Sequence, residues 1–258
     1  MAMDYFKLLA KLDRPPSAPN WVRFVHDDVG KTTKSIVSFV KGAPRFTYSP
    51  AYAAIRDRIQ LGIDLDTAVT VAGRSGAPAG KIQNEELVRT FFNHDQERSY
   101  AAFNAVEFGK EWFRVSRDLI VPVSPLSVIR ERGRFVPIFV CGWTELKLTE
   151  LQRRLLVSVC EDAFLSLTDY QNSPAEFLFF PKTDNGTDVG RCAEVWNRGD
   201  YRLLSQSELN EAVDIFLQSR EAARQLLLQE MAENAERHRH DGPAVSVPTP
   251  RDLFNFKE

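Results

Sequence analysis

Cysteine is scarce in this sequence: Cys141, Cys160 and Cys192 are the only three among 258 residues. They are odd in number and widely spaced, with no Cys-x-x-Cys element, so neither a disulfide framework nor a zinc site is indicated. All three stand among apolar neighbours, which predicts small buried hydrophobes in a reducing compartment. No sign of charge dominates either. Lys and Arg number 33 against 35 Asp and Glu, a formal net charge of −2. No global field therefore draws the chain to nucleic acid or acidic lipid, and such binding would need a local patch. No apolar run approaches the roughly 20 residues that span a bilayer. The segment 1–12 has neither the basic start nor the apolar run of an export signal. The expectation is a cytoplasmic protein. No internal repeat is present at any period.

What is there is an ordinary globular balance, with 43% apolar and 26% charged residues. A chain of this length buries roughly 70–75% of its unfolded surface, so it needs no disulfide or metal to be stable. The first hundred residues read as mainly helical. A short helix over 3–12 precedes the prolines at 15, 16 and 19, and 21–41 carries mostly helical spacing weakened at Gly30. Ser49-Pro50 predicts a helix start, with serine as N-cap and proline in the first turn. A further helix spans 64–72, and Asn84 is a candidate cap for the next.

The middle of the chain changes character. Residues 107–115 and 119–123 read as strands, and 126–141 as a hairpin turning near Gly133. Pro137 in its second arm cannot donate to a ladder, which predicts an edge strand or a bulge. Thr149 and Gln152 form a capping-box pattern. The helix that follows, to about Asp169, is apolar on more than one face, so it is the expected central buried helix. A short apolar strand over 177–180 follows, then a loop over 183–190. Residues 191–196 and 201–204 suggest a second hairpin. Ser205 and Glu208 repeat the capping box and open a helix to about Glu236. The expected fold class is α+β: a helical amino-terminal part (1–100), an α+β core (101–240) built on a small antiparallel or mixed sheet, and an extended tail (241–258). The three parts are expected to form one compact unit.

Several elements invite a chemical reading. Gly30-Lys31-Thr32-Thr33 ends like a phosphate-binding loop, but Val25 stands where the first glycine is required. The pairs His26-Asp27 and His94-Asp95, with Asp162, supply the ligand types of two-metal phosphohydrolases of the HD type. A dipeptide is common by chance, and the strands after residue 107 do not suit an all-helical bundle. Asp118, Glu145 and Lys147 follow the Asp…Glu-x-Lys order of metal-dependent nucleases, where two carboxylates hold magnesium and the lysine offsets charge at the phosphate. They are the weak candidates for a catalytic site. Arg130, Arg132 and Arg134 crowd the tip of the first hairpin, the best candidate for a nucleic-acid element, since a basic ribbon can enter a groove. A turn kept soluble by charge is the simpler explanation. Arg198-Gly199-Asp200 reads as a turn. His238 and His240 lack a third ligand, and no metal or cofactor is implied.

No motif fixes a function. The leading expectation is a non-catalytic interaction or regulatory module that binds another macromolecule, through a protein partner or self-association and without a membrane. Leu253, Phe254 and Phe256, after a proline-rich spacer, are its candidate docking residues. The alternatives are a nucleic-acid binder using the arginine hairpin and a metal-dependent nuclease or phosphodiesterase.

Overall fold

The computed structural model describes residues 4–42, 45–184 and 189–240. The helices are α1 (Tyr5–Leu12), α2 (Ala18–Val22), α3 (Val29–Lys41), α4 (Ser49–Leu61), α5 (Leu65–Arg74), α6 (Lys81–Arg98), α7 (Glu150–Cys160) and α8 (Gln206–His240). The strands are β1 (Asn104–Val106), β2 (Glu111–Arg114), β3 (Ile120–Val123), β4 (Ser127–Glu131), β5 (Arg134–Cys141), β6 (Glu176–Phe179), β7 (Lys182–Asp184), β8 (Val189–Arg191) and β9 (Glu194–Asn197). The class is α+β, as the sequence predicts. The candidate docking residues Leu253, Phe254 and Phe256 lie outside the described residues.

A five-stranded sheet in the order β1-β4-β5-β6-β9 forms the centre. All its pairs are antiparallel except β5–β6. A parallel pair cannot be joined by a tight turn, and the chain makes that connection through α7. Alternation along the strands sends side chains to two separate cores. Val136, Ile138 and Leu178 pack with α4, α5 and α6 on one face. Phe139, Cys141, Phe177 and Phe179 pack with α2, α3, α7 and α8 on the other. Covered on both faces, β5 and β6 are apolar at nearly every position, which is why no polar alternation marks them.

Local signals explain most element ends. Thr149 and Gln152 close a reciprocal capping box at the start of α7, and Ser205 and Glu208 do the same for α8. Residues Leu155–Cys160 are buried without interruption, as expected of the central helix. The helix continues as a single π turn over Glu161–Leu165, with Ser166 N–H donating to Glu161 C=O at 2.9 Å. Arg132 and Gly133 both have positive φ (49° and 81°), the two-residue turn that matches strand twist.

Five local expectations differ from the structure. Pro137 lies in β5, the middle strand, not at a sheet edge. The parallel ladder to β6 begins only at Ile138, so at Pro137 the strand pairs on one side alone, with Val128, and the missing N–H is tolerated. Asn84 is not a cap but lies inside α6. There its amide accepts from Ala51 N–H at 3.1 Å and donates to Gly80 C=O at 2.8 Å and Thr47 C=O at 3.2 Å. Tyr48, not Ser49, occupies the N-cap of α4. Residues 201–204 form no strand, because Arg154 and Ser158 of α7 take their backbone groups instead. The partner of β8 is β7, and β9 joins the main sheet. Cys141 and Cys160 are buried, but Cys192 is exposed beside the charged Arg191 and Glu194.

Candidate binding cleft

One face of α4 is turned away from the core. Ser49, Tyr52, Arg56 and Gln60, spaced three or four residues apart, form a stripe on one side of a helix. The opposite stripe of Ala51, Ala54, Ile55 and Ile59 is fully buried. The exposed stripe lines a cleft whose other walls are the segment from β1 to Lys110, the link from β3 to β4, and the start of α2. The cleft has two chambers. The more open one has a volume of ≈ 680 Å³ and is lined by Arg56, Gln60, residues 105–108, Lys110 and residues 124–126. The more enclosed one, ≈ 440 Å³, shares Arg56, Lys110 and residues 124–126 and is floored by Tyr52, Val123, Phe139, Val140 and Cys160.

The electrostatics of this cleft are unbalanced. The buried Arg191 and the half-buried Arg58, Arg98 and Arg198 each have a carboxylate partner, but among the described residues no carboxylate pairs with Arg56 or Lys110. Lys110 Nζ lies 5.4 Å from the centre of the Trp112 ring, and Glu107 is the one acid on the lining. In the enclosed chamber the Tyr52 hydroxyl accepts from Gly142 N–H at 2.8 Å, and its own proton has no acceptor among the described residues. Burial, with Cys141 nearby, raises the Tyr52 pKa far above the usual phenol range, so this hydroxyl stays a donor. Burial likewise raises the Cys160 thiol, so the thiol stays protonated and a poor nucleophile.

Gly142 is itself held in place by a fully buried arginine. Arg191, whose side chain has 0% exposure, donates to Phe180 C=O at 2.6 Å and to the carbonyls of Gly142 and Trp143 at 3.3 Å. It also reaches Tyr48 OH at 2.7 Å and Glu86 at 3.3 Å. The chain from Arg191 through Gly142 to Tyr52 therefore fixes one wall of the cleft. A buried guanidinium is stable only when it is well paired, and each of its three nitrogens has a partner here.

The residues singled out in the sequence lie elsewhere. Glu145 and Lys147 pair with each other at 2.8 Å on the surface, and Lys147 is the main cause that lowers the Glu145 pKa. Asp118 is exposed in the turn between β2 and β3, and no hydrogen bond or ion pair joins it to Glu145 or Lys147. Among the described residues no three His, Cys, Asp or Glu side chains are grouped to hold a metal. His26 Nε2 lies 2.8 Å from Ser35 Oγ. His94 Nε2 lies 3.2 Å from Tyr100 OH, and Asp95 pairs with Arg58 at 2.7 Å. Asp162 is exposed within the π turn. Gly30 lies in the first turn of α3, which Asp28 caps. Arg130, Arg132 and Arg134 are exposed at the hairpin tip. Arg198 turns inward, bonding Glu161 and the carbonyls of Tyr170 and Ser173 at 2.7 Å each. The turn after it uses Gly199 at φ 103°.

Sequence reasoning missed Arg56 and Lys110, which are 54 positions apart and meet only in the fold. The one available signal was the polar stripe of α4 opposite its alanine and isoleucine face. No family model, curated protein or solved structure matches the chain. No helix among the described residues is long and apolar enough to cross a membrane.

Proposed function

We propose that this chain is a non-catalytic binding module of the cytoplasm that holds an anionic group of its partner in the cleft beside α4. The observation that carries the reading is Arg56 and Lys110, two cations without carboxylate partners among the described residues, on a concave surface with an apolar floor. A concave, largely apolar site with a few convergent polar groups is where ligands bind. The two chambers offer complementary chemistry: a cationic, open one for charge and an enclosed one where Val123 and Phe139 receive an apolar group. Tyr52, on the floor of the enclosed chamber, adds a neutral donor there.

An aromatic sulfonate such as anilinonaphthalene sulfonate tests the cleft, because it carries one anion and one apolar ring system. Saturable fluorescence enhancement is expected with the full chain. A charge-assisted hydrogen bond contributes about 1.5–3 kcal/mol, so Arg56→Glu should weaken binding by roughly 10-fold to 100-fold. Unchanged binding in a folded Arg56→Glu protein would remove the reading.

A second reading, nucleic-acid binding, draws support from the exposed arginines of the β4–β5 turn. It predicts association with generic duplex DNA that weakens steeply as salt rises. Association should vanish when Arg130, Arg132 and Arg134 are all replaced by serine. DNA binding that persists in that triple variant, or that never appears at low salt, counts against it.

A further inference from the structure

The outer chamber of the cleft runs along a sheet edge. β1 is outermost in the sheet and pairs only with β4. Among the described residues, the backbone of 104–108 makes no hydrogen bond except in that ladder. Residues 105–108 line the open chamber, and β1 itself is at most half-buried. An unpaired edge is a template for another strand, and folded proteins commonly blunt or cover it. Here it is left beside two cations.

We propose that an extended, acidic segment of a partner protein occupies the cleft and adds to the free edge of β1 as a sixth strand. The inference rests on the cleft being a binding site, and it names the occupant. Backbone pairing along β1 would hold the segment, and alternate side chains would give specificity, as in other strand-addition complexes. Successive side chains of an extended segment point to opposite sides. One set can present carboxylates to Arg56 and Lys110 while an apolar residue enters the enclosed chamber over Phe139. Glu107 sets the register, because a carboxylate placed against it would be repelled. A second copy of this chain fits the edge poorly. Pairing β1 with β1 about a two-fold axis is isologous, so it brings the same patch from both copies together and faces Arg56 and Lys110 with their own kind.

A fluorescein-labelled peptide that alternates Asp or Glu with Val and Phe, added to the full chain, tests the proposal by anisotropy and amide hydrogen exchange. Saturable binding is expected, with new protection at amides within 104–108 and at least tenfold weaker binding in Arg56→Glu. The same peptide N-methylated at alternate amides keeps its charge but loses the edge bonds, and should bind at least tenfold more weakly. Equal binding of the methylated peptide overturns strand addition. If the sulfonate probe binds in an Arg56-dependent way but the peptide does not, the occupant is wrong and the cleft reading stands. If neither binds, both fail. Protection, in the free monomer, of those amides within 104–108 that do not bond to β4 would mean the chain covers its own edge. A dimer that protects them would assign the edge to a second copy. Either result overturns the proposal.

Discussion

Replacing Phe164 with alanine is expected to lower the free energy of unfolding by about 3–5 kcal/mol. Phe164 has 1% exposure and sits on the π turn that continues α7. Three rings enclose it: Tyr170 stacks at 4.6 Å, and Phe139 and Phe108 meet it edge-on at 6.0 and 6.4 Å. Truncation removes apolar area from burial and leaves a void that these rings cannot fill without moving. The sheet fixes Phe139 through its stacking on Phe177 at 4.9 Å, so little collapse is available and the upper half of the range applies. For a chain of this size the loss corresponds to a fall of roughly 8–20 °C in the thermal midpoint. Urea unfolding with an unchanged slope is the measurement, and Phe164→Leu should recover more than half the loss. A loss below about 1 kcal/mol would place this helix at the surface.

The parts of the fold that the sequence showed are those set by neighbours in the chain. Thr149 with Gln152 and Ser205 with Glu208 are three residues apart, and the cap chemistry acts over that distance alone. The turn at Gly133 needs only two residues with positive φ. The misreadings arose where a distant partner decided the outcome. Asn84 has the chemistry of a cap, yet Ala51 N–H of α4 and Thr47 C=O just before that helix claim its amide. Residues 201–204 have strand-like side chains, but Arg154 reaches them first. Pro137 argued against a central strand, and what allows it is where the β6 ladder starts, a fact of register that no local pattern carries. The cleft shares this property. Its lining comes from six separated stretches, so only the α4 stripe was visible beforehand. That Arg56 and Lys110 line one cleft had no local signature.

Substituting Glu176 by alanine is expected to cost about 3 kcal/mol, the low end of the range for breaking a buried ion pair. Glu176 opens β6 with 8% exposure. Its Oε1 accepts from Arg98 Nε at 2.9 Å and Nη2 at 2.8 Å, and its Oε2 accepts from Tyr100 OH. Arg98 also donates to Glu131 at 2.5 Å, so α6 is tied at its carboxy-terminal end to both β4 and β6. Burial, reinforced by the Glu176 charge, raises the Tyr100 phenol far above its usual range, and burial lowers the His94 imidazole beside it. Truncating Glu176 therefore leaves a guanidinium and a phenol partly unpaired in a site that water enters poorly. Glu131 keeps one end of Arg98 satisfied, and that moderates the cost. The cause is the stranded partners rather than a large net attraction, and this distinction is testable. Arg98→Met combined with Glu176→Leu removes both charges and fills the space, so the double variant should be more stable than Glu176→Ala alone. A double-mutant cycle with Arg98→Ala and Glu176→Ala should then give a coupling of about 1–3 kcal/mol. Additive losses, or a Glu176→Ala protein within about 0.5 kcal/mol of the parent, would show that Arg98 and Tyr100 are already well solvated and that the network adds nothing to the anchoring of α6.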